Sequence, residues 1–129
     1  MIYLDTSVLL AALLGEDRFP PTSFWSQNLV TSRLLQYETW NRLHARQLGK
    51  SHGEAARAYL NRVSFLELSP AVLEKALDPF PLPVRTLDAL HLASALFIKE
   101  LDSGLALATY DERMAAAARS VKLPLAQLQ

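Results

Sequence analysis

Short apolar runs rich in β-forming residues alternate along this chain with longer segments of helical periodicity. Residues 2–4, 63–68 and 105–108 are predicted strands, and residues 29–30 either form another strand or lead into the next helix. Strands that alternate with helices predict a parallel sheet covered by helices on both faces. We therefore expect a three-layer α/β/α fold with a central, mainly parallel sheet of four or five strands. The fifth would be residues 121–125 at a sheet edge, where Pro124 is tolerated.

Capping residues and helix-stop residues set the expected helix boundaries. Ser7 is predicted to cap the first helix and Gly15 to end it. The later boundaries are Ser32 and Gly49 for the second helix, a capping box from Ser51 to Glu54 for the third, Ser69-Pro70 and Asp78-Pro79 for the fourth, residues 87 and 101 for the fifth, and Asp111 at the start of the last.

The composition indicates one globular domain. A chain of 129 residues, half of them apolar, fits a single domain over residues 1–129. No apolar run is long enough to cross a membrane, and an acid at position 5 without preceding basic residues argues against a signal peptide. We therefore expect a cytoplasmic protein that is not bound to a membrane. Because cysteine is absent, disulfides, thiol catalysis and cysteine-bound zinc are excluded.

The charge distribution is uneven although the formal net charge is zero. Between Arg33 and Arg62 lie six Lys and Arg residues but only two acids, Glu38 and Glu54. Such a segment is either a surface that faces phosphates or the solvated side of a helical hairpin. The sequence alone leaves both interpretations open.

Two acids follow predicted strands. Asp5 comes directly after the first strand, and Asp111 comes shortly after the strand at residues 105–108. Ligands bind outside the carboxyl ends of the strands in open parallel sheets, so we expect both acids on one edge of the sheet. Asp111 has a purely structural alternative, because a carboxylate at a helix N-terminus is favoured by the helix dipole.

Two further acids lie on predicted helices. Glu38 lies within an otherwise apolar stripe, and Asp88 lies in the first turn of the helix over residues 87–101. Their structural alternatives are an ion pair between Glu38 and Arg42 four residues later, and a helix-dipole interaction for Asp88. If all the acids converge, their mutual repulsion favours a bound cation. Oxygen ligands suit Mg²⁺ or Mn²⁺, which promote phosphoryl transfer.

Four segments resemble conserved parts of the PIN-domain family, and specifically the VapC toxins of bacterial and archaeal toxin–antitoxin pairs. These segments are MIYLDTSVLLA, LLQYETWNRL, RTLDALHLASAL and LATYDERMAAAA, in the family's order. The third is the most specific. The last contains the T-x-D corner, although Glu112 directly after Asp111 leaves two candidates for the family's fourth acid.

The resemblance implies an Mg²⁺- or Mn²⁺-dependent endoribonuclease that cuts structured RNA such as tRNA or rRNA. It also implies a homodimer and a small VapB-like antitoxin that occupies the active-site groove. The implied metal-binding and catalytic acids are Asp5, Glu38, Asp88 and Asp111, the implied supporting residues are Thr6 and Thr109, and the candidate phosphate contacts are Arg42, Arg46 and Arg85.

Alternative functions and roles remain at this point. One alternative function is a catalytically inactive scaffold that binds an antitoxin. The other is a metal-dependent phosphatase with Asp5 as nucleophile. The phosphatase lacks support because its second acid would stand at position 7, which is Ser. His91 either hydrogen-bonds within the helix packing or contacts metal or RNA, and Trp25 and Trp40 either pack in the core or a dimer, or stack on bases.

Overall fold

A computed structural model describes residues 1–128 as a four-stranded parallel sheet with the strand order β3-β2-β1-β4. The strands are β1 (Ile2–Leu4), β2 (Leu29–Ser32), β3 (Ser64–Leu66) and β4 (Ala106–Ala108). The helices are α1 (Thr6–Leu14), α2 (Leu34–Ala45), α3 (Gly49–Leu60), α4 (Pro70–Leu77), α5 (Thr86–Leu101) and α6 (Glu112–Ser120), with a 3₁₀ turn at Thr22–Ser26. The alternation of strands and helices is as expected.

Two apolar cores lie on opposite faces of the sheet. Tyr3 belongs to one core, with Leu92 of α5 and Met114 of α6. The next residue of β1, Leu4, belongs to the other core, with Leu9 of α1 and further residues of α2 and α3. Successive residues of a strand point to opposite faces, so β1 is buried on both sides. This arrangement confirms the three-layer α/β/α fold.

Two predicted helix boundaries, those at Ser7 and Gly49, were wrong. Helix α1 begins at Thr6 with Asp5 in the N-cap position, because the Ser7 hydroxyl donates to a carboxylate oxygen of Asp5. Gly49 does not end α2 but begins α3; a Cβ there would lie 3.3 Å from the His44 ring, so the close approach favours glycine. The chain turns instead at Gln47, whose φ is 59°.

The capping box predicted at Ser51 was also wrong. Ser51 lies inside α3, and its hydroxyl donates to the backbone carbonyl of Leu48 in the preceding turn. By contrast, Ser69 does cap α4, accepting a hydrogen bond from the backbone N–H of Val72, and Pro70 is the first helical residue. A serine therefore caps a helix only when it directly precedes the first helical turn, as Ser69 does, and not when it lies within the helix, as Ser51 does.

The expected fifth strand is reduced to a single bridge. Leu125 pairs in parallel with Leu107 of β4, but residues 121–125 form no strand. The backbone N–H of Leu107 donates to Pro124, and Ala126 donates back to Leu107. Because Pro124 accepts but cannot donate, pairing does not extend. The sheet therefore has four strands and one edge bridge.

The strand register determines which residues meet at the carboxyl edge of the sheet. Leu4 of β1 pairs with Ala108 of β4, so the residues that follow them, Asp5 and Thr109, leave the sheet side by side. The backbone N–H of Asp5 donates to the Ala108 carbonyl over 3.0 Å. Within residues 1–128, no helix is long and apolar enough to cross a membrane.

Candidate active site

An open pocket of about 330 Å³ lies at the carboxyl edge of the sheet. It contains all four acids singled out in the sequence, which come from the end of β1, from α2, from α5 and from the start of α6. Its lining residues are Asp5, Thr6, Ser7, Leu10, Glu16, Glu38, Arg42, Asp88, Tyr110 and Asp111. The fold thus brings together carboxylates that are up to 106 positions apart in the chain, from Asp5 to Asp111.

Two hydroxyl groups hold the carboxylate of Asp5. Its Oδ2 accepts hydrogen bonds from Ser7 Oγ over 2.6 Å and from Thr109 Oγ1 over 2.8 Å. Asp5 is only 5% exposed, so these bonds replace water that burial has removed. Thr109 lies where a supporting residue was expected, whereas the role of Ser7 was missed. A hydroxyl two residues after a strand-ending acid is the signal that indicates it.

Asp111 combines a structural role with a place in the pocket. Its Oδ1 accepts from the backbone N–H of Arg113 over 2.9 Å, so it caps α6. Its own backbone N–H donates to Thr109 Oγ1, which links it to the Asp5 network. Asp111 lines the pocket, whereas Glu112 is exposed on α6.

Glu38 is held by two residues of other elements. Its Oε1 accepts from Thr6 Oγ1 over 2.7 Å and lies 2.5 Å from His91 Nε2. Its side chain is 22% exposed. Across residues 1–128, no ion pair joins Glu38 to Arg42, so the alternative based on their spacing does not form. Thr6 lies where a supporting residue was expected.

The pKa of Asp88 is affected by the other three acids of the pocket. Partial burial raises the pKa of its carboxyl above the ordinary value, and the negative charges of Asp111, Asp5 and Glu38 raise the pKa further. Asp88 also lies in the first turn of α5, where the helix dipole favours a carboxylate.

Asp88→Asn is expected to raise the melting temperature of the metal-free protein at pH 7. Folding favours the protonated form of Asp88, so its ionisation destabilises the folded state once the pH exceeds the raised pKa. The gain should shrink as the pH falls through the raised pKa and vanish below 3.8, the ordinary value, because Asp88 then carries a proton in both states. Thermal unfolding in EDTA across this range measures the effect. Equal melting temperatures at pH 7 would contradict the repulsion.

The donor set fits a hard divalent cation. Within residues 1–128, no three His, Asp or Glu side chains are arranged to enclose a metal ion. Mg²⁺ does not require such a cage, because it is usually held by one or two carboxylates, several waters and substrate phosphates. Asp5, Glu38, Asp88 and Asp111 offer carboxylate oxygens around one open pocket, and the raised pKa of Asp88 reflects their uncompensated charge. The residues present therefore suit Mg²⁺ or Mn²⁺.

Cationic side chains lie on two sides of the acids. Arg42 lines the acid pocket, and Arg85 and Arg113 line an adjoining pocket of about 350 Å³ that shares Asp88 with it. Among residues 1–128, none of these arginines forms an ion pair. Arg46, at the C-cap of α2, lines neither pocket. Arg113 was missed, although its place two residues after Asp111 is a signal for it.

The other basic and aromatic candidates are involved in packing. Arg33 pairs with Glu67 over 2.7 Å, so the basic segment does not face the acids as one surface. Trp25 is 7% exposed, and its ring centroid lies 4.6 Å from that of Tyr59. Trp40 is half-buried against the apolar core beside α3. Both tryptophans therefore pack in the protein interior.

Comparison with known proteins identifies the family. A model of the PIN domain matches residues 2–120. The chain is a member of the PIN-domain family. Ribonuclease VapC47 of Mycobacterium tuberculosis (strain CDC 1551 / Oshkosh) is 35% identical over 129 residues, covering 94% of this chain and 92% of that protein.

Two further relatives extend the match to other ribonucleases. Ribonuclease VapC46 of Mycobacterium tuberculosis (strain ATCC 25618 / H37Rv) is 32% identical over 123 residues, covering 93% of this chain and 92% of that protein. Ribonuclease VapC35 of the CDC 1551 / Oshkosh strain is 30% identical over 129 residues, covering 95% and 93%. The resemblance to VapC-type PIN domains is thereby confirmed, and this PIN domain has its four candidate acids in one pocket.

Proposed function

We propose that this PIN domain is an Mg²⁺- or Mn²⁺-dependent endoribonuclease that acts as the toxin of a toxin–antitoxin pair. The observation that carries the proposal is the convergence of Asp5, Glu38, Asp88 and Asp111 on one open pocket. The relatives named as VapC ribonucleases, which match more than nine-tenths of the chain, support RNA as the substrate. Structured RNA such as tRNA or rRNA is the substrate class that we propose.

The proposed chemistry is hydrolysis of a phosphodiester. A bound divalent cation would polarise the phosphate and lower the pKa of an attacking water. Asp5, Glu38, Asp88 and Asp111 would hold the cation and orient that water. Thr109 and Ser7 fix Asp5 in place, and Thr6 fixes Glu38. Preoriented carboxylates favour catalysis because little reorganisation is then needed during the reaction.

We propose that the substrate backbone crosses the acids between two groups of arginines. Arg42 would bind a phosphate on one side, and Arg85 and Arg113 would bind phosphates on the other side of Asp88. These arginines have no ion-pair partner within residues 1–128, so their charges are available to RNA. Arg46 is more remote and would contact only a longer substrate. Local charge thus compensates for a net charge of zero.

We propose a VapB-like antitoxin and a second copy of the chain as protein partners in the cytoplasm. The VapC names of the relatives support the antitoxin. Exposed leucines on and after α4 and along α5 support the homodimer: Leu73, Leu77, Leu82, Leu87 and Leu101 are 40–83% exposed. Leu73 and Leu77 also line a groove between α4 and α5, and an apolar groove of this kind is typical of a protein interface.

Expression of the chain without its antitoxin is expected to arrest growth of a bacterial host. A variant with Asp5→Asn, Glu38→Gln, Asp88→Asn and Asp111→Asn should permit growth at an equal level of folded protein, because it keeps the side-chain shapes and removes the charges. Optical density after induction and immunoblotting measure both quantities. Growth arrest by both proteins would indicate a scaffold that acts without catalysis and would contradict the proposal.

A further inference from the structure

A buried histidine connects the apolar core to the acid pocket. His91 is 1% exposed on α5, three residues after Asp88. Its Nδ1 lies 2.8 Å from the Tyr3 hydroxyl, and its Nε2 lies 2.5 Å from Glu38 Oε1. The rings of Tyr3 and His91 meet edge to face, with centroids 5.9 Å apart. Both ring nitrogens are therefore bonded, as burial of an imidazole requires.

The hydrogen bonds of Tyr3 and Glu38 are compatible with one direction along this chain of contacts. The Tyr3 hydroxyl accepts from the backbone N–H of Ser32 over 3.1 Å, so its own hydrogen is available to His91 Nδ1. A neutral imidazole that accepts at Nδ1 carries its hydrogen on Nε2. His91 Nε2 then donates to Glu38, which accepts as a carboxylate. With this tautomer, the order of donors is Ser32 to Tyr3 to His91 to Glu38.

The two oxygens of Glu38 have different surroundings. Oε1 accepts from both His91 and Thr6, whereas Oε2 makes no hydrogen bond within residues 1–128. Glu38 also has an alternative partner, because Arg42 lies four residues later on the same face of α2. An ion pair with Arg42 would withdraw both a carboxylate and a phosphate-binding cation from the pocket.

We propose that Tyr3 and His91 are positioning residues that hold Glu38 in the pocket and prevent its ion pair with Arg42. By fixing Oε1, they leave Oε2 available to a cation. The helix α5 carries both Asp88 and His91, so it supplies one acid and positions another. The consequence for cation binding rests on the proposed function, whereas the hydrogen-bond order does not.

Nuclear magnetic resonance of the metal-free protein tests the hydrogen-bond order directly. Long-range ¹H–¹⁵N correlations should show His91 as the neutral tautomer with hydrogen on Nε2. Tyr3→Phe should shift the Nδ1 signal by removing its donor, and Glu38→Gln should shift the Nε2 signal. A tautomer with hydrogen on Nδ1, or signals that neither substitution moves, would overturn the proposal even if the protein cleaves RNA.

A pair of matched variants separates positioning from packing. The amide of Gln reaches the place of Nε2, whereas the amide of Asn reaches only that of Nδ1. His91→Asn should weaken Mn²⁺ binding by about 10- to 100-fold, the usual effect of losing an outer hydrogen bond to a ligand. His91→Gln should retain most of the affinity. Equal loss in both variants, measured by calorimetry, would indicate packing alone and overturn the positioning role.

A double variant tests the competition with Arg42. If loss of His91 allows Glu38 to pair with Arg42, adding Arg42→Ala to His91→Asn should recover much of the Mn²⁺ affinity. Arg42→Ala alone should raise that affinity by a smaller factor, which reflects only the removal of a positive charge beside the pocket, and an equal gain in both backgrounds would contradict the competition. No recovery in the double variant would contradict the competition. Absence of Mn²⁺ binding by the wild type would contradict the proposed metal site. The tautomer of His91 would still test the hydrogen-bond order.

Discussion

Asp5→Asn is expected to lower the rate of RNA cleavage by about 10³-fold, equivalent to about 4 kcal/mol of transition-state stabilisation. Asn keeps the shape of the side chain but removes the negative charge that attracts a cation. The amide oxygen can still accept from both Ser7 and Thr109, because both hydroxyls donate to the single atom Oδ2, so the loss of rate would report the missing charge. Single-turnover cleavage of a labelled RNA with Mn²⁺ measures the rate.

Asp78→Asn is the matched control for this substitution. Asp78 is exposed at the C-cap of α4 and lies outside the acid pocket, so the same chemical change should leave the cleavage rate unaltered. Circular dichroism of both variants should match that of the wild type. If Asp5→Asn cleaved RNA within threefold of the control, Asp5 would not be a catalytic acid.

Mn²⁺ is expected to stabilise the folded protein strongly. At a free concentration about 100 times its Kd, a ligand that binds only the folded state adds about 2.7 kcal/mol to the free energy of unfolding. For a domain of this size, the melting temperature should rise by about 10 °C. The physical reason is that a cation relieves the repulsion among carboxylates that raises the pKa of Asp88. Thermal unfolding at increasing Mn²⁺ measures the shift.

The four-acid variant distinguishes site binding from a general effect of the salt. Without the charges of Asp5, Glu38, Asp88 and Asp111, the shift with Mn²⁺ should disappear, while Asp78→Asn should retain it. A shift of the same size in the four-acid variant would show that Mn²⁺ stabilises the protein elsewhere.

The fold was predictable where the pattern is local. Strand β1 and the capped start of α4 follow from apolar periodicity and from the Ser69-Pro70 pair. The wrong boundaries depend on particular side-chain contacts. Gly49 suits a close approach to the His44 ring rather than a helix end, and Ser7 bonds to Asp5 and Thr109 rather than to the backbone of α1. The capping pattern alone does not distinguish these side-chain contacts from a helix cap.

The candidate site was predictable to different degrees. Asp5 and Asp111 could be placed on one sheet edge because each follows a parallel strand. Glu38 and Asp88 joined them only through family resemblance, since a helical acid has several ordinary explanations. The role of His91 was left open, because its contacts with Glu38 and Tyr3 join residues 53 and 88 positions apart.

Incubation of the purified protein with cellular RNA, followed by sequencing of the new RNA ends, tests the central claim most directly. The account predicts a small set of cuts that appear with Mg²⁺ or Mn²⁺, disappear in EDTA, return when the cation is restored, and are absent with the four-acid variant. Cuts that persist in EDTA, or that the four-acid variant also makes, would contradict the account.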